Sequence, residues 1–407
     1  MNWRRIAASV LILAAVWEVG RSLGRLDGVI FTGYTQVGEV VLQGGDPYGL
    51  PINTWPPFFL FLAAVLAMLA RISLPGALFF WQAGSVATVW GSCRLMARLV
   101  GEPPQPFSSS AVLVPVLMSA RLLQEHLQHT QINLYILFLV LLAFYLFQRR
   151  RPGLGGFALA TAISLRAVPL LFLPYLLYKR AWRAASWVSA LVVVLNVVVP
   201  LVVFGPARAV ERWKSWRARA SIETNDPTPV YPNQSLLASL KRLLTQEGGA
   251  RDPVSYAIAS WPTSRVVELF YGIGIVTALA LALAWRRNPA GLDNRSVLAE
   301  VAIALMLMTL FSPLAWKAHF VTLLAGYWLI WRVVNSTRRG LAWVTWWVSF
   351  ACLTLTAPAL IGGHARAMLE SVNVITVGAL LVLALTFSTT IRPQQQPRAS
   401  AGGLTSP

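Results

Sequence analysis

The sequence predicts an all-α, polytopic integral membrane protein, and three observations carry that prediction. Of the 407 residues, 56% are hydrophobic and only 12% are charged, where soluble globular chains carry about 25% charged residues. Apolar stretches recur along nearly the whole chain, and a helix needs about 20 apolar residues to cross the hydrocarbon core. The cations, 34 Lys and Arg against 15 Asp and Glu, gather in short clusters between those stretches: Trp3-Arg4-Arg5, Arg149-Arg150-Arg151, Lys179-Arg180, Arg286-Arg287 and Arg338-Arg339. Clusters so placed mark cytoplasmic loops. A nucleic-acid partner would instead need them on one face of a soluble domain, so the sequence points to membrane lipids and away from nucleic acid. Cys93 and Cys352 both sit in apolar segments and read as small buried hydrophobes, not as a disulfide or metal pair.

In chain order, 6–22 follows a basic start and lacks a small-residue cleavage site, so it reads as an uncleaved first span with a cytoplasmic N-terminus. Phe31–Pro57 is a polar, Gly/Pro-rich insert. Further candidate segments lie at 57–71, 75–99, 110–124, 132–148, 153–178, 182–204, 264–285, 297–312, 316–332, 341–361 and 370–389, which together give about 10–13 membrane helices. Segment 153–178 has basic residues at both ends and is interrupted at Ser164–Pro169. One crossing cannot satisfy both flanks, whereas two helices meeting at the outer side with Arg166 at the apex can. Parity with Arg149–Arg151 requires that 57–71, 75–99 and 110–124 not all be full crossings, and the sequence leaves open which is not. The expected organisation is one transmembrane domain over 1–390 with outer loops 23–56 and 205–263, then a disordered cytoplasmic tail over 391–407. The expected location is the inner or plasma membrane.

The polar residues concentrate in those outer loops and not at the bilayer midplane, where transporters hold their cargo. The first loop holds the acids Asp27, Glu39 and Asp46. Apolar residues at 37, 40 and 41 suit a short amphipathic surface helix over Tyr34–Gln43. Gly44-Gly45-Asp46-Pro47-Tyr48 reads as a helix stop and turn, so Asp46 is equally a turn-forming residue. Gln124–Asn133 is an amide- and histidine-rich cluster suited to a sugar or phosphate, or simply to capping a helix end. Arg166 at a helix break is a functional candidate because charge inside the membrane region is expensive, with snorkelling to the interface as the plainer reading. Trp213, Trp216 and the basic residues of 208–219 suit an interfacial helix. Asn233-Gln234-Ser235 opens a helix carrying Lys241 and Arg242, and Ser312-Pro313, Trp316, Lys317 and His319 interrupt a later apolar run. Arg166, Lys317, His319 and Arg242, with acids in the first loop, are the groups needed to hold a phosphate in a cationic pocket beside a carboxylate base.

Six of these elements, in order, resemble the membrane glycosyltransferases of family 87, relatives of polyprenol-phosphate-mannose-dependent mannosyltransferases with the GT-C fold. They are Phe31–Tyr34 leading to Gly44–Tyr48; Trp55-Pro56-Pro57; Gln131-Ile132-Asn133 with Thr130 in a glycine position; the Arg166–Pro169 break; Asn233-Gln234-Ser235 with Arg242; and Ser312-Pro313-x-x-Trp316-x-x-His319. The resemblance covers about residues 5–390. It implies a GT-C-type helix bundle that moves a mannose-like sugar from a polyprenyl-phosphate donor to a glycan or glycolipid acceptor on the outer face, by inverting displacement. No Asp-rich pair stands near a phosphate site, so no metal is expected, and no cofactor.

An Asp of the first outer loop acts as base in such enzymes, in a pattern Asp-Phe-x-x-Tyr; this chain has Ile30-Phe31-Thr32-Gly33-Tyr34. Asp27 is therefore the first candidate base and Asp46 the second. Arg166, Lys317, His319 and Arg242 are candidates for the donor phosphate, and Tyr34, Tyr48, Gln131, Asn133, Asn233 and Gln234 for substrate contacts. The alternatives are a relative without catalysis that binds or presents a lipid-linked glycan, or a lipid or glycan transporter.

Overall fold

The computed structural model describes residues 3–25, 30–225, 229–246, 252–285, 296–337 and 340–391. Asp27, the clusters at 286–287 and 338–339, and the tail from 392 lie outside the described residues. Helices make up the regular structure of the described residues. Four of them are long and apolar enough to cross a membrane: α1 (Trp3–Leu23), α3 (Phe59–Leu99), α9 (Trp182–Phe204) and α12 (Thr263–Trp285). On α1 only Ala8, Glu18 and Ser22 are buried, so its apolar side chains face outward, as they do on α12. A helix apolar all round is stable only in hydrocarbon or in a core. This chain is a multi-pass membrane protein.

The polar insert is itself mostly helix. α2 (Ile30–Leu42) does not lie on the surface as its apolar spacing predicted; Phe31, Tyr34 and Val37 are almost fully buried against the first half of α3. Small residues cause this: Gly38 sits so close to Ala63 that a Cβ there would lie 2.0 Å from the Ala63 carbonyl oxygen. Close backbone approach through Gly and Ala is how helices associate where no hydrophobic effect separates them from lipid. Gly44, at φ +77°, ends the helix, and Asp46 caps the turn Pro47–Gly49 by accepting the Tyr48 N–H at 3.0 Å.

Helix α3 is two helices meeting at Ser73, whose φ of −160° and ψ of 107° leave the helical region. Pro75 forces the break, because it lacks an N–H and disfavours helical backbone before it. The Ser73 hydroxyl then caps the second half by accepting the Gly76 N–H at 3.1 Å. α4 (Ser110–Met118) and α5 (Ala120–His129) follow, then α6 (Asn133–Gln148), bent 118° from α5. α7 (Pro152–Leu165) stops at Arg166, and a 3-10 turn, Val168–Leu171, leads into α8 (Phe172–Tyr178). After α9 come α10 (Pro206–Asn225) and α11 (Leu236–Leu244), which Ser235 caps by accepting the Ala238 N–H.

α13 (Val297–Leu310) is the centre of the bundle, with every one of its residues buried. Its one charge, Glu300, accepts from Lys179 at 2.8 Å and Tyr175 at 2.6 Å. A 3-10 segment, Lys317–Thr322, leads into α14 (Leu323–Thr337), followed by α15 (Leu341–Leu353), the short α16 (Pro358–Ile361), α17 (Gly363–Ser371) and α18 (Val374–Ile391). α18 packs on α13, α14 and α15.

Candidate active site

Three chain breaks meet at one place: the α5–α6 elbow, the α7–α8 break and the segment Ser312–Thr322. The elbow turns at Thr130, which closes α5 in the left-handed conformation at φ +51° and ψ 41°. Thr130 is bound from both sides, since its hydroxyl accepts the Phe31 N–H at 3.0 Å and its carbonyl accepts the Trp81 indole N–H at 3.0 Å. α2 and α3 thus hold the elbow. Immediately after it, Asn133 accepts Arg166 Nη1 at 2.9 Å and donates to Gln131 at 2.5 Å and to the Ala318 carbonyl at 3.3 Å. Arg166 Nη2 reaches the Leu314 carbonyl at 3.3 Å.

His319 completes the arrangement. Its Nδ1 accepts the Trp316 N–H at 2.7 Å, which leaves the ring proton on Nε2. Burial, and then the Arg166 charge, push its pKa well below the ordinary 6.5, so the ring is neutral. Asn133, Arg166 and His319 line one cavity of about 20 Å³, with Thr309, Ser312 and Thr322. That is room for a single water-sized group. Among the described residues, no carboxylate lines it.

The structure brings Arg166, His319, Asn133 and Gln131 together, and Tyr34 stands near them. Burial raises the Tyr34 phenol pKa, and the Arg166 charge opposes that rise. The ring packs edge-on against Trp55 and Phe59. Lys317 points elsewhere: its ammonium lies 2.9 Å from Glu125 and 2.6 Å from Glu370, buried between the two carboxylates. Arg242, 1% exposed, is also occupied. It donates to the carbonyls of Pro229, Val230 and Asn233 at 2.8–3.0 Å and to Asn373.

Asn233 and Gln234 join loops. Asn233 donates to the Pro313 carbonyl at 3.0 Å and accepts the Ala315 N–H at 3.0 Å, while Gln234 donates to the Glu370 carbonyl at 2.7 Å. Asp46 is exposed, and Tyr48 is buried with its hydroxyl on the Trp55 carbonyl at 3.1 Å. α10 covers this turn, with the Trp216 indole N–H on the Thr54 carbonyl at 3.2 Å and Arg212 over the Phe204 ring at 3.6 Å. The basic-aromatic helix therefore packs on the first loop.

Sequence reasoning passed over Glu125 and Glu370. Glu125 accepts from Arg121, from Lys317 and from His129 Nε2 at 3.1 Å, and Arg366 lies 3.6 Å from Glu370. The i, i+4 series Arg121, Glu125, His129 was the available signal. Nothing local linked it to residues 317 and 370.

Three comparisons bear on this site. The model of glycosyltransferase family 87 matches residues 53–313, a stretch that includes Gln131, Asn133, Arg166, Asn233 and the start of the His319 segment. The chain belongs to glycosyltransferase family 87. Two relatives are described as polyprenol-phosphate-mannose-dependent alpha-(1-2)-phosphatidylinositol pentamannoside mannosyltransferases. The one from Mycobacterium tuberculosis is 26% identical over 332 residues, 78% of this chain and 69% of the relative. The one from Mycolicibacterium smegmatis is 27% identical over 315 residues, 74% of this chain and 69% of the relative. No solved structure matches the chain. As a family 87 member the protein is a membrane glycosyltransferase, and the Arg166 site lies inside the matched region.

Proposed function

We propose that this glycosyltransferase moves a mannose-like sugar from a polyprenyl-phosphate donor to a glycolipid hydroxyl at the outer face of the inner or plasma membrane. Both termini are cytoplasmic in this reading, and residues 1–390 act as one transmembrane domain. The observation that carries it is the convergence of Arg166, neutral His319 and Asn133 on one cavity where three chain breaks meet.

In the transfer, the acceptor oxygen forms a bond to the sugar C1 while the C1–O bond to phosphate breaks. The electron pair leaves on the phosphate oxygen, and the hydroxyl proton passes to a carboxylate. Arg166 is placed to meet the departing phosphate charge, exchanging its Asn133 and Leu314 contacts for phosphate oxygens. His319 offers Nε2–H to the same group, while Asn133, whose amide donates to Gln131 and Ala318, orients Arg166 from beside the site, with Gln131 and Tyr34 behind them. Lys317 and Arg242 act in this scheme by positioning: Lys317 holds the segment that bears His319, and Arg242 with Asn233 and Gln234 holds the loop on the other side of it. Asp27 is the first choice of base and Asp46, beside Tyr48, the second.

Membranes bearing the wild-type chain should transfer labelled mannose from polyprenyl-phosphate-mannose to an endogenous lipid. Arg166→Ala should lower that rate about 10²–10³-fold, the effect of removing one donor that stabilises transition-state charge, while Arg166→Lys should retain part of it. Asp27→Asn should abolish transfer; full transfer by both Asp27→Asn and Asp46→Asn would remove the base assignment. A second reading, a member that binds a lipid-linked glycan without transferring sugar, is favoured by Ile30 and by the lack of a carboxylate on the cavity among the described residues. Retained lipid binding with no transfer from any polyprenyl-phosphate sugar would select it.

A further inference from the structure

Arg166 stands at the end of α7 and the candidate bases belong to the first loop, and a series of contacts through α9 and α10 joins the two places. It starts in α9. From Leu191 to Phe204 that helix holds one polar side chain, Asn196, which is 4% exposed while Val193, Val198 and Val202 are 43–77% exposed. A polar side chain in such a helix turns inward and finds a partner on a neighbouring helix. Here the partner is the Ser164 hydroxyl of α7, which accepts Asn196 Nδ2 at 2.7 Å and donates to the Ala160 carbonyl at 2.7 Å. Ser164 lies in the last turn of α7, two residues before Arg166, where the backbone leaves the helix at φ −155° and ψ 127°.

The backbone of Asn196 is tied as well. α9 widens to a π-turn at Val194–Val198, with the Val199 N–H on the Val194 carbonyl five residues back. Such turns are rare and recur at functional sites. The ordinary helical donor for the Asn196 carbonyl is residue 200, and Pro200 has no N–H. The Trp213 indole of α10 supplies the missing donor at 2.7 Å. Edge-on to it at 5.2 Å is the Trp216 ring, whose N–H holds the Thr54 carbonyl of the first loop, and Arg219 donates to the Pro51 carbonyl. α10 also packs on the turn Pro47–Gly49, which Asp46 caps. It leaves α9 through Gly205, whose φ of +80° turns the chain there at no steric cost.

We propose that Trp213, Asn196 and Ser164 form a positioning relay. At one end α10 grips the first loop; at the other, the Asn196 turn of α9 fixes the last turn of α7 and so the place of Arg166. The group that meets the departing phosphate is thereby held in register with the loop that bears the candidate base, and a displacement depends on such alignment. The part the relay plays in sugar transfer rests on the glycosyltransferase reading above.

Two variants break the relay with little change of shape. Trp213→Phe keeps a ring and removes the indole N–H, and Asn196→Leu keeps the volume and removes the tie to Ser164. Each should lower kcat for transfer from polyprenyl-phosphate-mannose by up to about tenfold, the effect of one hydrogen bond, and leave KM for the donor nearly unchanged. In an Arg166→Ala background no guanidinium is left to position, so the same changes should have no further effect. Losses that multiply in that background overturn the proposal, as does wild-type kcat in both variants.

Hydrogen exchange in nanodiscs reads the link without turnover. Trp213→Phe should speed exchange of the amides at 162–168 while those of α13, at the centre of the bundle, exchange as in the wild type. Unchanged exchange at 162–168 overturns the relay, and equal acceleration in α13 does so too, because the effect is then a general loss of stability. Arg166→Ala with wild-type transfer counts against the catalytic reading alone, and the exchange measurement still decides the link.

Discussion

Thr130 concentrates the residue-scale physics of this protein. A β-branched side chain in the left-handed region is strained, and glycine is the residue that adopts it freely. The chain keeps Thr because its hydroxyl accepts the Phe31 N–H, which starts α2 and would otherwise be buried unmet. Two substitutions separate these effects. Thr130→Gly should change stability little, relief of strain offsetting a lost acceptor, whereas Thr130→Val keeps the strain, loses the acceptor and should cost about 1–3 kcal/mol. Thermal unfolding in detergent compares them directly.

His319 makes a second residue-scale prediction, in pH. Its folded pKa lies below the ordinary 6.5, so the unfolded chain takes up the proton first as pH falls. The neutral ring's contribution is therefore complete above about pH 6.5 and is lost progressively below it. The thermal midpoint should fall as pH is lowered from about 7.5 to about 5. His319→Gln, which lacks the titrating group, should flatten that slope.

Among elements, the α2–α3 contact decides where the first loop goes. Gly38→Ala puts a methyl into the Ala63 backbone, which cannot rotate away as a side chain could. Overpacking of this kind costs typically about 1–3 kcal/mol. Because α2 also holds the elbow through Phe31 and Thr130, sugar transfer should fall with stability. A Gly38→Ala protein with wild-type melting and wild-type transfer would show that α2 does not brace the site. The α3 kink is the opposite case, fixed locally by Ser73 and Pro75.

At the scale of the whole molecule, Lys317 joins parts of the chain far apart in sequence: α5 through Glu125 and α17 through Glu370. Removing one partner of a buried ion pair typically costs about 3–5 kcal/mol, because the other charge stays buried alone. Lys317→Met should thus unfold at much lower temperature. The triple variant Lys317→Met, Glu125→Gln, Glu370→Gln should not recover the loss, because it takes the carboxylate from the buried Arg121 guanidinium as well. A triple variant clearly more stable than the single one would mean that Arg121 does not depend on Glu125.

The sequence by itself determined the membrane class, the breaks and the caps, because these depend on composition and on neighbours within a few residues. Pro75 and Pro169 stand at helix breaks, and Ser235 caps α11 through the Ala238 N–H three residues on. It also determined the family, since the motifs around Gln131, Arg166 and Asn233 stand in a fixed order along the chain. Only the tertiary structure decided which cations meet. Arg166, Lys317, His319 and Arg242 were equivalent as a list, yet Arg166 and His319 share a cavity while Lys317 and Arg242 are held by carboxylates and carbonyls from distant segments. Burial separated them: inside a membrane protein each charge takes whichever partner the packing brings within reach, and that partner has no fixed distance along the sequence. The same reason hid the partners of Glu18, an acid in the first span that accepts from Gln124 and Gln128 of α5.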